Sequence, residues 1–98
     1  MKVYVGGKIT GNPNFMEEFA EATAALQEKG HKVMNPAVLP AGFAHGEYMN
    51  VCYAMLAVCE AVYFLRNWED SVGALMEYDY AKYLSKKVFY QKEGDLVG

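Results

Sequence analysis

Residues 61–81, AVYFLRNWEDSVGALMEYDYA, decide how the rest of the chain is read. Ala61-Val62-Tyr63-Phe64-Leu65 is an unbroken apolar run of strand length, the pattern of a strand buried on both faces. Arg66–Asp70 is a polar break. Ser71-Val72-Gly73-Ala74-Leu75-Met76-Glu77 then begins a helix, with Ser71 or Asp70 as its natural N-cap. A strand, a short loop and a helix N-terminus make a ready anion site. The first N–H groups are unpaired and that end of the helix dipole is positive. Gly73 lies one turn before Glu77 on the same face. With no side chain at 73, a ligand can approach the helix there. Glu77, six residues beyond Ser71, can line the same pocket.

Upstream, Lys2–Val5 reads as a first strand ending at Gly6-Gly7. The loop that follows, GGKITGNP over residues 6–13, is rich in glycine but matches neither a Walker loop nor a GxGxxG fingerprint. On spacing alone it is a ligand loop or a plain turn. A helix starts at Phe15, with Asn12 or Asn14 as cap, and stops at Gly30. Its apolar face is Phe15, Phe19, Ala22 and Leu26. Lys32-Val33-Met34 is a second strand, and His31 a strand-edge residue before it. Residues 35–46, NPAVLPAGFAHG, form an irregular loop long enough to suggest function. His45 in that loop is the better placed of the two histidines. Glu47–Cys59 reads as a second helix, with Tyr48, Cys52, Met55, Leu56 and Cys59 on its apolar face. Downstream of Glu77 the third helix runs to about Leu84. Lys86–Tyr90 is a fourth strand, and Gln91–Gly98 a polar tail that is either mobile or docked on a neighbour.

The alternation βαβαβαβ predicts a three-layer α/β fold of Rossmann-like or flavodoxin-like kind. The expected sheet is parallel and four- to five-stranded, in order 2-1-3-4, with helices on both faces. Ligands in such folds bind beyond the carboxyl ends of the strands. Gly6–Asn12, Asn35–Gly46 and Arg66–Ser71 all fall on that rim, and their convergence is the strongest sign of a site.

Composition bounds the function. Ninety-eight residues make one domain, 1–98, and 53% hydrophobic content supports a true core. A net charge of −3 argues against a general nucleic-acid binder, but not against a small phosphorylated ligand. No stretch is long and apolar enough to cross a membrane, and the chain opens directly on a strand pattern, so a cytoplasmic location is expected. Cys52 and Cys59 match no zinc spacing and read as buried thiols. Eight tyrosines in so short a chain point to pockets or a subunit interface.

Three blocks carry a family resemblance: V-Y-V-G-G-K-I-T-G, G-H-K-V-M-N-P and N-W-E-D-S-V-G-A-L-M-E-Y-D-Y-A. The last, with Trp68-Glu69, Ser71, Gly73-Ala74 and Glu77, is the specific one. Nearly end to end, the chain resembles the nucleoside 2-deoxyribosyltransferase-like superfamily, in its short bacterial and phage branch, DUF4406. The resemblance implies cleavage or exchange of the N-glycosidic bond of a 2′-deoxynucleoside or its 5′-monophosphate. It makes Glu77 the nucleophile at the anomeric carbon. A carboxylate suits the oxocarbenium-like transition state, and a glutamate near its reference pKa is already ionised at pH 7.

By the same resemblance Ser71, with the N–H groups of Val72 and Gly73, contacts a 5′-phosphate; the plainer reading of Ser71 is an N-cap, and it can do both. Tyr4, Gly6, Gly7, Ile9, Gly11, Asn35 and Trp68 are the further substrate-binding candidates. For Tyr4, Ile9 and Asn35 core or turn roles fit equally, and Trp68 reads chiefly as a loop anchor. Active relatives carry an aspartate where this chain has Cys52. Glu60 and Asn67 are two further departures, from an aspartate and a glycine. A departing base needs a proton, and Asp70 is the better placed replacement acid, ahead of Glu69 and Asp79. The resemblance also implies a homo-oligomer, and neither metal nor organic cofactor. The alternative function is a nucleotide-binding module of the same fold that has lost its chemistry.

Overall fold

A computed structural model of the chain describes residues 1–97. The elements are β1 (Lys2–Gly6), α1 (Phe15–Glu28), β2 (Lys32–Met34), α2 (His45–Ala57), β3 (Ala61–Phe64), α3 (Val72–Tyr83) and β4 (Lys87–Tyr90). Short 3-10 turns follow β2, β3 and β4, at Pro36–Val38, Trp68–Asp70 and Gln91–Glu93. The sheet has four strands, all parallel, in the order β2-β1-β3-β4. The topology is the expected one, at the lower end of the expected strand count.

The β1–β3 register sets Val3 beside Ala61, Tyr4 beside Val62 and Gly6 beside Phe64. Alternation then sorts the side chains. Val3, Val5, Ala61, Tyr63 and Leu65 pack with Phe19, Ala22 and Leu26 of α1 on one face. Tyr4, Val62 and Phe64 pack on the other with Cys52 and Leu56 of α2 and Ala74 and Ala81 of α3. Both central strands are buried on both faces, which explains their continuous apolar reading.

One end each of β1, β3 and β4 shifts by one residue from the sequence expectation, and α2 shifts by two. Helix α2 begins at His45, two residues before Glu47, and ends at Ala57. The Glu47 carboxylate accepts the Ala44 N–H at 2.8 Å, which makes Glu47 the third residue of the helix. Cys59 lies just past the helix end, where its N–H bonds the Leu56 carbonyl, and both cysteines are free and buried. The tail is docked on its own chain as far as Val97. Asp95 accepts from the Tyr90 N–H at 2.9 Å, and Leu96 and Val97 pack against the α1-side core. Gly98 lies outside the described residues.

Candidate functional site

A cavity of about 820 Å³ opens at the carboxyl end of the sheet. It is lined by residues of all three suspect loops and by the first turns of α2 and α3. Of the sequence candidates, Tyr4, Gly7, Ile9, Asp70, Ser71, Val72, Gly73 and Glu77 line it. Gly6, Gly11, Asn35 and Trp68 do not.

Glu77 forms the floor. Ala74, Glu77 and Ala81 are the buried positions of α3, spaced as one core stripe, so the carboxylate stands where packing would place an apolar side chain. It is 5% exposed. The Tyr4 hydroxyl, from the centre of β1, donates to Glu77 Oε2. The Cys52 thiol of α2 adjoins the pair and also supports the carboxylate. Burial outweighs both hydrogen bonds and pushes Glu77 up to about 7. This corrects the expectation of a glutamate near its reference value. At neutral pH the carboxyl is divided between its two protonation states. Tyr4 is raised well above its ordinary value by burial and by the neighbouring carboxylate, so it stays a donor. The Cys52 thiol is also pushed up by burial and remains protonated.

Above Glu77 the start of α3 forms one wall. Ser71 is the N-cap, its Oγ accepting from Ala74 N at 3.1 Å. The Leu75 N–H bonds the Ser71 carbonyl. The N–H groups of Val72 and Gly73 have no partner among the described residues. A Cβ at Gly73 would meet Met49 Sδ at 3.4 Å and His45 Cε1 at 3.6 Å, so this bare patch faces the first turn of α2. His45, the first residue of α2, thereby joins the site with its ring exposed in the cavity mouth. Asp70 stands exposed on the rim, whereas Glu69 turns away to pair with Lys92 at 2.7 Å.

The remaining candidates have other work. Trp68 is 8% exposed, stacks on Tyr78 with ring centroids 5.1 Å apart, and packs tilted against Phe64 at 4.8 Å. It anchors the β3–α3 loop from the core side, and its buried Nε1–H has no partner among the described residues. Gly6 is required by packing: a Cβ there would lie 2.8 Å from the Phe64 ring and 3.4 Å from Glu77 Oε1. Gly11 turns the loop at φ +75°. Asn35 accepts from Ala37 N at 2.9 Å and so caps the 3-10 turn. Glu60 accepts the Lys2 N–H at 3.0 Å, at the opposite end of the sheet from the cavity. Asn67 contributes to a tie between loops. Asn12 bonds the Lys8 carbonyl at 2.9 Å and Glu18 at 2.7 Å, and Asn67 reaches Lys8 N and Glu18 at 3.5 Å.

The family model described as a domain of unknown function, DUF4406, matches residues 1–90. The chain belongs to the DUF4406 family. No curated protein matches it in sequence. Among solved structures, this DUF4406 chain is similar to a 2-deoxyribosyltransferase from Leishmania mexicana. The TM-score is 0.72 at 20% identity, over 91% of this chain and 62% of that one. It is also similar to the 2-deoxyribosyltransferase of Bacillus psychrosaccharolyticus, with a TM-score of 0.69 at 18% identity, over 92% of this chain and 71% of that one. The DUF4406 domain thus has the deoxyribosyltransferase fold. It spans less than two thirds of the Leishmania protein's length.

Proposed function

We propose that this DUF4406 domain cleaves or exchanges the N-glycosidic bond of a 2′-deoxynucleoside 5′-monophosphate, with Glu77 as the nucleophile. The observation that carries the reading is a carboxylate held at the floor of an open cavity by Tyr4, on the helix whose first residues, with N–H groups unpaired among the described residues, line the same cavity. In the ionised form a Glu77 oxygen attacks the anomeric carbon. The carbon–nitrogen bond breaks, and its electron pair leaves with the base, which takes up a proton. Water, or a second base, then displaces the glutamate from the anomeric carbon. The unpaired Val72 and Gly73 N–H groups and the Ser71 hydroxyl suit the 5′-phosphate. The base's proton comes from solvent at the open mouth of the cavity, where Asp70 and His45 also stand, at the starts of α3 and α2.

A second reading is favoured by one observation. The Cys52 thiol, held protonated beside Glu77, cannot act as a carboxylate. A module that binds the nucleotide without cleaving it fits that residue.

Base release separates the two. The protein and Glu77→Gln are incubated with deoxynucleosides and their monophosphates, and free base is followed by chromatography. Release that is fastest from a monophosphate and lost in the variant supports the enzyme. No release, with a monophosphate still raising the melting temperature, overturns it in favour of the binding module.

A further inference from the structure

The cavity is chemically divided. Its polar side chains, Tyr4, Asp70, Ser71, Glu77 and His45, lie on β1, at the starts of α2 and α3 and in the second turn of α3. The opposite wall is built from the β1–α1 loop, α1 and the turn after β2. Its side chains are apolar, among them Ile9, Phe15, Met16, Phe19, Val38 and Leu39, with Thr10 as its one side-chain hydroxyl. The Tyr48 hydroxyl at the margin is already engaged, donating to the Pro40 carbonyl at 2.6 Å. The Asn35 amide oxygen behind that wall is used by Ala37 N.

With the sugar over Glu77 and the phosphate at the start of α3, the leaving base is directed at the apolar wall. An ordinary base has polar edges that need partners once they leave water. This wall supplies few. It does leave apolar surface open: Met16 is 58% exposed and Val38 72%. Apolar surface of that kind at a cavity mouth suits apolar ligand atoms.

We infer that the leaving-group end of this site takes a base bearing an apolar substituent, and selects it by apolar bulk rather than by reading base edges. The inference rests on the glycosidic reading for the direction of the base.

The test is a binding comparison by calorimetry, using Glu77→Gln to prevent turnover. The ligands are 2′-deoxyadenosine 5′-monophosphate with its N6-butyl derivative, and 2′-deoxyuridine 5′-monophosphate with its 5-butyl derivative. The butylated member of each pair is expected to bind about tenfold more tightly, from the methylenes it buries. The double variant Met16→Gln/Val38→Ser, at two exposed positions, is expected to shrink that gap to about twofold. Parents that bind as tightly as their derivatives, no binding by any of the four, or a gap unchanged in the double variant would each overturn the inference. The two readings fail separately. Base release that persists in Glu77→Gln removes the nucleophile and leaves the binding preference intact. Equal affinities remove the preference and leave Glu77-dependent release intact.

Discussion

Glu77 occupies a core position of α3, and its burial has a measurable consequence for stability. Its carboxyl is raised from 4.5 to about 7. Between those values the folded protein holds a proton that the unfolded chain has lost. Stability therefore falls as pH rises through that window and levels off above it, by about 3 kcal/mol in all. Glu77→Gln removes this dependence. Urea denaturation at pH 5 and pH 8 should show the variant gaining about 2–3 kcal/mol over the wild type between the two. An unchanged difference would mean that Glu77 is ionised at its ordinary value. Tyr4 is a positioning residue, acting through Glu77. Tyr4→Phe deletes a hydrogen bond to the charged form, so the carboxyl rises further. The pH profile of base release should move its rising limb above pH 7, with kcat restored at alkaline pH. A fall in kcat equal at every pH would assign Tyr4 some other role. The Tyr4–Glu77 pair was not legible in the sequence: its members lie 73 residues apart, and only the β1–β3–α3 packing joins them. Nor was the shift of Glu77. The sequence places Glu77 at a pocket but near its reference value, and only burial against Cys52 and Tyr4 raises it.

At the scale of elements, the start of α3 carries two functions that two substitutions can separate. Ser71 caps the helix through Ala74 N. Alanine at an N-cap costs about 1 kcal/mol, glycine only a few tenths. Ser71→Ala should therefore be less stable than Ser71→Gly by roughly that margin. If the hydroxyl also contacts the phosphate, both should raise KM for the monophosphate alike and leave the nucleoside unaffected. A KM that follows helix stability instead would reduce Ser71 to a cap. This cap was legible because its signals are local: Ser71 before an apolar helical run, after the β3 strand pattern. The start of α2 was less so. Ala44 offers no side-chain acceptor, and the capping contact from Glu47 pulls His45 into the helix. That two-residue change turns a loop histidine into one that faces Gly73. Trp68 sits inside the most specific motif, yet its partners Phe64, Tyr78 and Tyr90 set it in the core. Its anchoring role is the chief sequence reading; the aromatic partners that provide it lie on β3, α3 and β4 and are not legible there.

The whole molecule repeats one arrangement: a parallel sheet whose carboxyl ends gather three loops over one cavity. This was the most legible level, since strand and helix periods alternate strictly along the chain. Assembly is the next level up. Val72, Leu75, Met76 and Tyr83 of α3 are exposed, as are Val51 and Val58 on and just beyond α2. These side chains support self-association of the chain. Light scattering is expected to give a mass above one chain, and Leu75→Glu with Met76→Glu to reduce it to one. A wild type already at one chain would contradict this. The central claim, that Glu77 forms a bond to the sugar, is tested most directly by trapping. The protein is incubated with a 2′-fluorinated 2′-deoxynucleoside 5′-monophosphate, whose fluorine slows release of the sugar from the enzyme. Intact mass and peptide mapping then read the product. One added sugar phosphate is expected, located on Glu77 and absent from Glu77→Gln. Release of base with no adduct, and undiminished in Glu77→Gln, would contradict it.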